Sequence, residues 1–467
     1  MPPKFGTSGL RGLVTELTSE LVSSYTTSFM RSCATKGVVH VGWDLRPSSP
    51  QIAQAVITAV QAQGAKVKVA GAVPTPALAL AASQAQQGAI MITGSHIPAD
   101  RNGLKFYTTQ GEISKTDEAA ILAGLVPATS APTLPDIPIN ADPAAIQAYS
   151  DRYVTGFGPQ ALTGLTIGLY QHSSVARDVM VDIITALGGT AIALGRTDTF
   201  TPVDTEAVDP EARAQFQSWC QDHALDALIS TDGDADRPMV TDHSGQIVVG
   251  DVLGALTAKA LGAEVLCTPI SSNTMITRMP EFRDIHLTRI GSPYVIAAMQ
   301  AAQTKDPAAK VVGYEANGGF LLGFSAQGPA GPLAPLMTRD CLLPILCSLH
   351  LVQSTGRALA ESVAALPQRF TAANRLTEIP TAASAKFLHN LTTDSAARAA
   401  FFDTQSAETE TDLTDGLRVT FENGDVVHLR PSGNAPELRC YAEADNRDRA
   451  EALVTNHLQR LRGKIRL

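Results

Sequence analysis

The sequence predicts a multidomain α/β protein: three similar α/β units in series, then a smaller α+β unit. Three observations carry that reading. The 467 residues, 44% of them hydrophobic, are too many for one core and supply enough apolar material for several. Short runs of strand-forming residues alternate with segments of helical periodicity, and the alternation restarts near residues 165 and 265. From about Phe370 the pattern changes to strands in hairpin order closed by a helix.

The elements follow in order. The stretch from Lys4 to Gly12 packs glycines, hydroxyls and two bases together, so exposed N–H groups and cations there could converge on an anion. Strands are expected at 38–41, 66–70 and 88–92, with a helix at about 49–63 and another before the third strand. That β-α-β-α-β run implies a parallel sheet. Asp44 and Arg46 read as a buried structural ion pair. Residues 127–143, rich in Pro, Thr and Asp and without periodicity, read as a linker. The second unit has strands at 165–170, 191–194 and 225–230, with helices at about 175–187 and 210–223. The third runs from Val265 to about Leu366, with a strand at 310–313. In the last, residues 417–429 form a hairpin around Asn423-Gly424, a type I′ turn signal, before a strand at 440–442 and a basic amphipathic helix. The expected domains are 1–145, 146–250, 251–368 and 369–467.

Bulk composition excludes several classes. A net charge of −9 with 36 Lys and Arg argues against a general nucleic-acid surface or a polybasic membrane patch. An anionic ligand must then be held by a local cluster of bases. Cys33, Cys220, Cys267, Cys341, Cys347 and Cys440 are scattered without a C-x-x-C pair and read as reduced thiols. No signal peptide is visible, and the longest oily run, 341–352, is too short to cross a bilayer. A cytoplasmic protein with no nucleic-acid or membrane partner is expected.

Four stretches carry candidate chemistry. Residues 93–106 follow the third strand and read as a loop holding a hydroxyl, an imidazole and an amine: Ser95, His96 and Lys105. The carboxyl end of a strand is where open α/β sheets bind ligands. Asp232, Asp234 and Asp236 alternate with small residues, which lets three carboxylates converge on a hard divalent cation. An EF-hand fails on spacing, because its sixth position would be Arg237 and its twelfth His243. Magnesium fits better than calcium, since it needs few protein ligands and completes its shell with phosphate oxygen. A phosphatase with Asp232 as nucleophile, and a plain solvated acidic turn, stay open here. A Gly-rich loop after the 310–313 strand holds Glu315 and Asn317. Finally, Arg430 and Arg439 flank Ser432, Gly433 and Asn434, so two guanidinium forks, a hydroxyl, an amide and free N–H groups could surround a phosphate dianion.

A serine loop, an Asp triplet, a Glu-containing loop and an Arg-Ser-Gly loop, each in its own unit, resemble the α-D-phosphohexomutase superfamily along essentially the whole chain. Residues 93–98 are similar to that family's Thr-Ala-Ser-His-Asn-Pro, with Gly94 and Ile97 in place of Ala and Asn, and Asp232 to Arg237 match its metal loop in full. The resemblance implies three like α/β domains with mixed sheets and a fourth, α+β domain related to the TATA-binding-protein fold, around a central active-site cleft. It implies an intramolecular phosphotransferase that moves phosphate between the 1- and 6-oxygens of a hexose through a hexose 1,6-bisphosphate. Ser95 would carry the phosphoryl group and complete a magnesium shell with Asp232, Asp234 and Asp236. Arg11, Lys105 and Arg237 would supply cations, Lys105 would act as acid and base, and His96 would position. Glu315 and Asn317 would read the 3- and 4-hydroxyls. Ser292 would line the cleft, and Arg430, Ser432, Gly433, Asn434 and Arg439 would hold the non-transferred phosphate. The loop with Asn317 and Gly319 resembles mannose-handling members, making mannose phosphates the expected substrates and glucose phosphates the alternative. Phosphoglucosamine mutases usually have Glu-Gln-Ser-Gly-His there. A monomer or homodimer is expected. The rivals are the aspartate-nucleophile phosphatase and a non-catalytic sugar-phosphate binder.

Overall fold

In the computed structural model, residues 3–6, 8–126, 140–403, 406–432 and 437–465 are described. Most of the expected linker, 127–139, lies outside them, and the helix Ala144–Phe157 begins just past residue 143.

Three sheets share one plan. In each, a first strand lies between a second and a third, all parallel, and a fourth strand returns antiparallel beside the third. In the first sheet these are Val38–Trp43, Lys66–Ala72, Gly88–Ile92 and Arg101–Thr108. In the second they are Thr166–His172, Thr190–Arg196, Ala227–Thr231 and Pro238–Thr241. In the third they are Val265–Pro269, Asp284–Thr288, Val311–Tyr314 and Phe320–Leu322. The sheets are therefore mixed, as expected for the three units: the β-α-β-α-β run is parallel as read, and the fourth strand that returns beside it is antiparallel. The reason is connection length: a parallel crossover needs a dozen or more residues, whereas the loop after each third strand is short and allows only an antiparallel return.

This plan positions the chemistry. Ser95, the Asp triplet and Glu315 occupy the same topological place, the loop between the third parallel strand and its antiparallel return. Part of the stretch read as a loop is in fact strand: Lys105 lies on Arg101–Thr108 with Met91 opposite it.

The last unit is an antiparallel five-stranded sheet in the order Phe370–Leu376, Leu438–Ala444, Val426–Pro431, Leu417–Phe421, Glu408–Asp412. Helices Thr381–Thr393, Ser395–Phe402 and Arg447–Lys464 accompany it, the last packing on Phe370–Leu376 and Leu438–Ala444. Its hairpin turn is not type I′, which needs positive φ at both central residues. Gly424 has φ +84°, while Asn423 is not among the residues of positive φ. The Gly424 N–H donates to the Phe421 carbonyl at 2.8 Å, giving a type I turn closed by a left-handed glycine. Asn423 Oδ1 accepts from the Asp425 N–H at 3.0 Å, which favours this longer loop.

Candidate functional site

The serine loop is shaped from below by the pair read as structural, Asp44 and Arg46, both buried and 3.2 Å apart. The Arg46 guanidinium donates to the carbonyls of Ser95 at 2.9 Å, Ile97 at 2.5 Å, Pro98 at 2.7 Å and Arg101 at 2.8 Å. Asp44 accepts the Thr93 hydroxyl at 2.7 Å, and Thr93 Oγ1 in turn accepts the Ser95 N–H at 2.7 Å. Held this way, Ser95 takes the left-handed φ of +53°, uncommon for a residue with a Cβ and characteristic of imposed geometry.

The Ser95 hydroxyl donates to Asp232 Oδ2 at 2.5 Å and lies 3.3 Å from His96 Nδ1. Asp232 Oδ1 accepts the N–H groups of Asp236 and Arg237, each at 3.2 Å. Asp234 accepts from the Thr75 hydroxyl at 2.6 Å and from Lys105 Nζ at 2.6 Å; Lys105 also reaches Asp236 Oδ2 at 2.5 Å. The Arg237 guanidinium lies 3.9 Å from Asp232 and Asp236 and 3.8 Å from Asp204 and Glu206. Arg11 donates to the Thr93 carbonyl. Arg339 bridges Asp236 at 2.6 Å and Glu315 at 3.0 Å. Asn317 Oδ1 accepts the Gly319 N–H at 3.0 Å.

Electrostatics follow from this burial. Burial pushes the Asp232 carboxyl well up, with the Asp234 and Asp236 charges adding to it. For Asp234 burial pulls the same way, but the Lys105 ammonium and the Thr75 hydroxyl outweigh it and hold the carboxyl below its usual range. Burial, then Arg237, Arg11 and Arg439, push the His96 imidazole well down, so it stays neutral.

The three Asp side chains offer ligand atoms that all lie within 4.8 Å of one another. Oδ1 of Asp234 and of Asp236 are buried with no hydrogen-bond partner. Orphaned carboxylate oxygens converging in a buried pocket are the donor set a small hard cation takes.

Not every expected residue joins this network. Ser292, which opens the helix Ser292–Lys305, donates to Glu112 at 2.9 Å, and Ser8 donates to the same carboxylate at 2.6 Å. Arg430 lies 2.8 Å from Asp415, and Arg439 lies 3.4 Å from Glu437. The Ser432 N–H donates to the Glu437 carbonyl at 2.8 Å. Gly433 and Asn434 lie outside the described residues.

Models of phosphoglucomutase/phosphomannomutase α/β/α domain I, α/β/α domain III and the C-terminal domain match residues 2–129, 249–370 and 373–457. The chain belongs to the phosphoglucomutase/phosphomannomutase family. Membership makes it an isomerase of the phosphohexomutase class. Among its relatives, a phosphomannomutase of Sinorhizobium fredii is 42% identical over 98% of both chains. A phosphomannomutase of Salmonella muenchen is 41% identical over 99% of this chain and 96% of its own. A crystal structure described as a putative phosphomannomutase from Thermus thermophilus superposes with a TM-score of 0.78 at 22% identity, covering 99% of this chain and 100% of that one.

Within this network, Arg46, Thr75, Asp204, Glu206 and Arg339 are side chains that the sequence reading does not single out as site residues. Arg46 was read only as structural, which it is, yet it sets the serine loop. Arg339 carries a usable signal, since a basic residue between Thr338 and Asp340 in an otherwise apolar stretch is a buried charge in search of partners.

Proposed function

We propose that this chain is a magnesium-dependent phosphomannomutase that interconverts mannose 6-phosphate and mannose 1-phosphate through a phosphorylated Ser95. One observation carries the reading most: Ser95 Oγ sits 2.5 Å from Asp232 Oδ2, beside three carboxylates that converge from a different sheet. A hydroxyl on a strained loop beside such a cluster is placed to carry a phosphoryl group.

Asp232, Asp234 and Asp236 would hold magnesium with an oxygen of the Ser95 phosphate, and when bound the ion supplies charge stabilisation for the phosphoryl oxygens. The rest falls to the chain. In the forward half-reaction the bond between phosphorus and Ser95 Oγ breaks as a bond to the sugar oxygen forms. The attacking hydroxyl loses its proton, and Ser95 gains one and is left as the free alcohol. Lys105, an ammonium bonded to Asp234 and Asp236, is assigned both proton transfers: it gives a proton to the departing Ser95 oxygen and takes the one that the attacking hydroxyl loses, so it ends as the ammonium it began as, with the neutral His96 imidazole within reach of Oγ. Arg11, Arg237 and Lys105 place cations around the transferring group, so a net charge of −9 is no obstacle. The resulting hexose 1,6-bisphosphate turns over in the cleft and returns its other phosphate to Ser95. Glu315 and Asn317 take the 3- and 4-hydroxyls, which serve both orientations alike, and Arg430, Ser432, Gly433, Asn434 and Arg439 hold the phosphate that stays. Ser292 joins them once its bond to Glu112 opens. The reading keeps four domains bounded near residues 145, 250 and 368, a cytoplasmic location, and a monomer or homodimer.

The phosphatase reading is disfavoured because Asp232 commits Oδ1 to two backbone N–H groups and Oδ2 to the Ser95 hydroxyl. The test is labelling with hexose 1,6-bisphosphate carrying radioactive phosphate. Acid-stable label on Ser95, lost in Ser95→Ala together with at least about 1,000-fold of turnover, is expected. Acyl phosphate on Asp232 overturns it. Comparing kcat/KM for mannose 1-phosphate and glucose 1-phosphate, primed with bisphosphate, decides the sugar.

A further inference from the structure

The side chain that joins the Asp triplet to the sugar loop is Arg339. It lies on Leu336–Asp340, a strand paired antiparallel with Phe320–Leu322, so it reaches the sugar loop from the strand beside the loop's own return. It is buried, with Nη1 on Glu315 Oε2 at 3.0 Å and Nη2 on Asp236 Oδ2 at 2.6 Å. Burial alone would lower its charge stability, but Asp236 and Glu315 outweigh it and fix the guanidinium as a cation. The next residue, Asp340, anchors the strand end by accepting the Tyr149 hydroxyl at 2.5 Å and that of Tyr153.

The sugar loop is cut to fit this arginine. A Cβ at Gly319 would stand 2.9 Å from Arg339 Cδ and 3.0 Å from its Cβ and Cγ, so the aliphatic stem fills the space that a side chain at 319 would need. Position 319 is glycine, and the cation beside Glu315 comes from a neighbouring strand. A planar fork holding two carboxylates at once fixes their relative orientation in a way a single ammonium does not.

We propose that Arg339 is a positioning residue that sets recognition of the hexose 3- and 4-hydroxyls: its fork occupies one oxygen of Glu315 and turns the other toward them. The assignment rests on the phosphohexomutase reading and on Glu315 as the sugar contact. With Oε2 committed, Glu315 presents a single, directed acceptor. Without the fork the carboxylate turns freely and is left without its buried partner.

The test measures binding in the Ser95→Ala protein, so that it does not depend on turnover. Calorimetry compares mannose 1-phosphate with its 4-deoxy analogue, in Ser95→Ala alone and combined with Arg339→Lys, Arg339→Met or Gly319→Ala. The parent protein should prefer mannose 1-phosphate by about 10-fold or more, as sites built around a hydroxyl do. Arg339→Met should weaken the parent ligand by about 10-fold and bring the ratio near one, with Arg339→Lys intermediate. Gly319→Ala, which displaces the stem and keeps the charge, should move the ratio the same way and covers the case in which Arg339→Met does not fold. A ratio that stays put while both affinities fall shows a merely structural arginine and overturns the proposal, as do unchanged affinities. Failure of the mutase reading is separate: it shows as a wild-type protein that Ser95 labelling leaves blank.

Discussion

At the scale of single residues, Gly94 shows why a family pattern is not a recipe. Relatives usually carry alanine there, yet a Cβ at 94 would stand 2.4 Å from Arg46 Cζ. Arg46 cannot step aside: its guanidinium is committed to Asp44 and to four carbonyls of the serine loop, and it also lies 4.1 Å from the Phe200 ring centroid. Gly94→Ala should therefore destabilise the protein by about 1–3 kcal/mol. It should also slow Ser95 labelling at least several-fold, because the same contacts set the serine's backbone. Thermal denaturation and a labelling time course check both. An alanine variant as stable and as fast as the parent would show that the loop is not pinned by Arg46.

At the scale of elements, most parallel strands are legible because they are apolar runs, while Asp284–Thr288, a polar and half-exposed one, and the antiparallel returns are not. The return strand Arg101–Thr108 buries Asn102 and Lys105, one bonded to Ser48 and Ser49 and the other to the Asp triplet. Polar residues turned inward by a functional site erase the alternation that marks a strand, so the stretch looks like a loop. The candidate chemistry is read from stretches that concentrate residue types a core does not need, and three of them, around Ser95, the Asp triplet and Glu315, take the same place in their sheets. Arg339 stayed hidden because its partners lie far from it in sequence, one of them on another sheet. A second buried charge is legible only from the fold: Asp251, in the first turn of Gly250–Ala260. Its Oδ2 accepts the Asn273 N–H at 2.9 Å, its Oδ1 has no partner, and burial pushes its carboxyl up to about 7. The sign follows from linkage. Near pH 4 and below, the group is protonated folded and unfolded alike; above that the unfolded chain ionises first, so stability falls until about pH 7 and then levels off. At about 1.4 kcal/mol per pH unit, the loss across that window approaches about 4 kcal/mol. Asp251→Asn keeps the acceptor for Asn273 and cannot ionise. Its stability relative to wild type should rise by a few kcal/mol between pH 4 and pH 8, read by denaturant titration at each pH. A difference that does not change with pH would remove the buried charge from the account.

At the scale of the whole molecule, the cores and the site divide the chain differently. One continuous apolar cluster runs from Ala77 through the second and third sheets to Leu366, so those parts share an interior. The last unit has its own cluster, from Leu376 to Ile465, with no member in common with the other. Polar contacts tie that unit to the domain of the third sheet. Arg289 Nε donates to the Thr414 carbonyl at 3.0 Å, the Ile290 N–H to Asp415 Oδ2 at 2.9 Å, and Asn273 Nδ2 to the Arg369 carbonyl at 2.9 Å. Glu443 accepts the Thr274 N–H at 2.9 Å and the Thr274 hydroxyl while pairing with Arg369 Nε at 2.6 Å. Contacts of this kind permit relative motion, which the proposed turnover of a bisphosphate within the cleft would require. Glu443 is the carboxylate shared among three of these bonds and makes no contact with Ser95, so replacing it should change closure and leave the chemistry intact. Glu443→Gln keeps the size and removes the charge opposite Arg369. The expected result is a KM for mannose 1-phosphate raised about 10-fold with kcat nearly unchanged, because in the proposed reaction the last unit would supply Arg430 and Arg439 to hold phosphate and not the group that transfers it. Small-angle scattering should show a larger radius of gyration without ligand and convergence on the wild-type value at saturating hexose phosphate. A variant that loses kcat and KM alike, with scattering identical to wild type at every ligand concentration, would mean that the last unit is a fixed wall of the cleft and that the bisphosphate turns over without it moving.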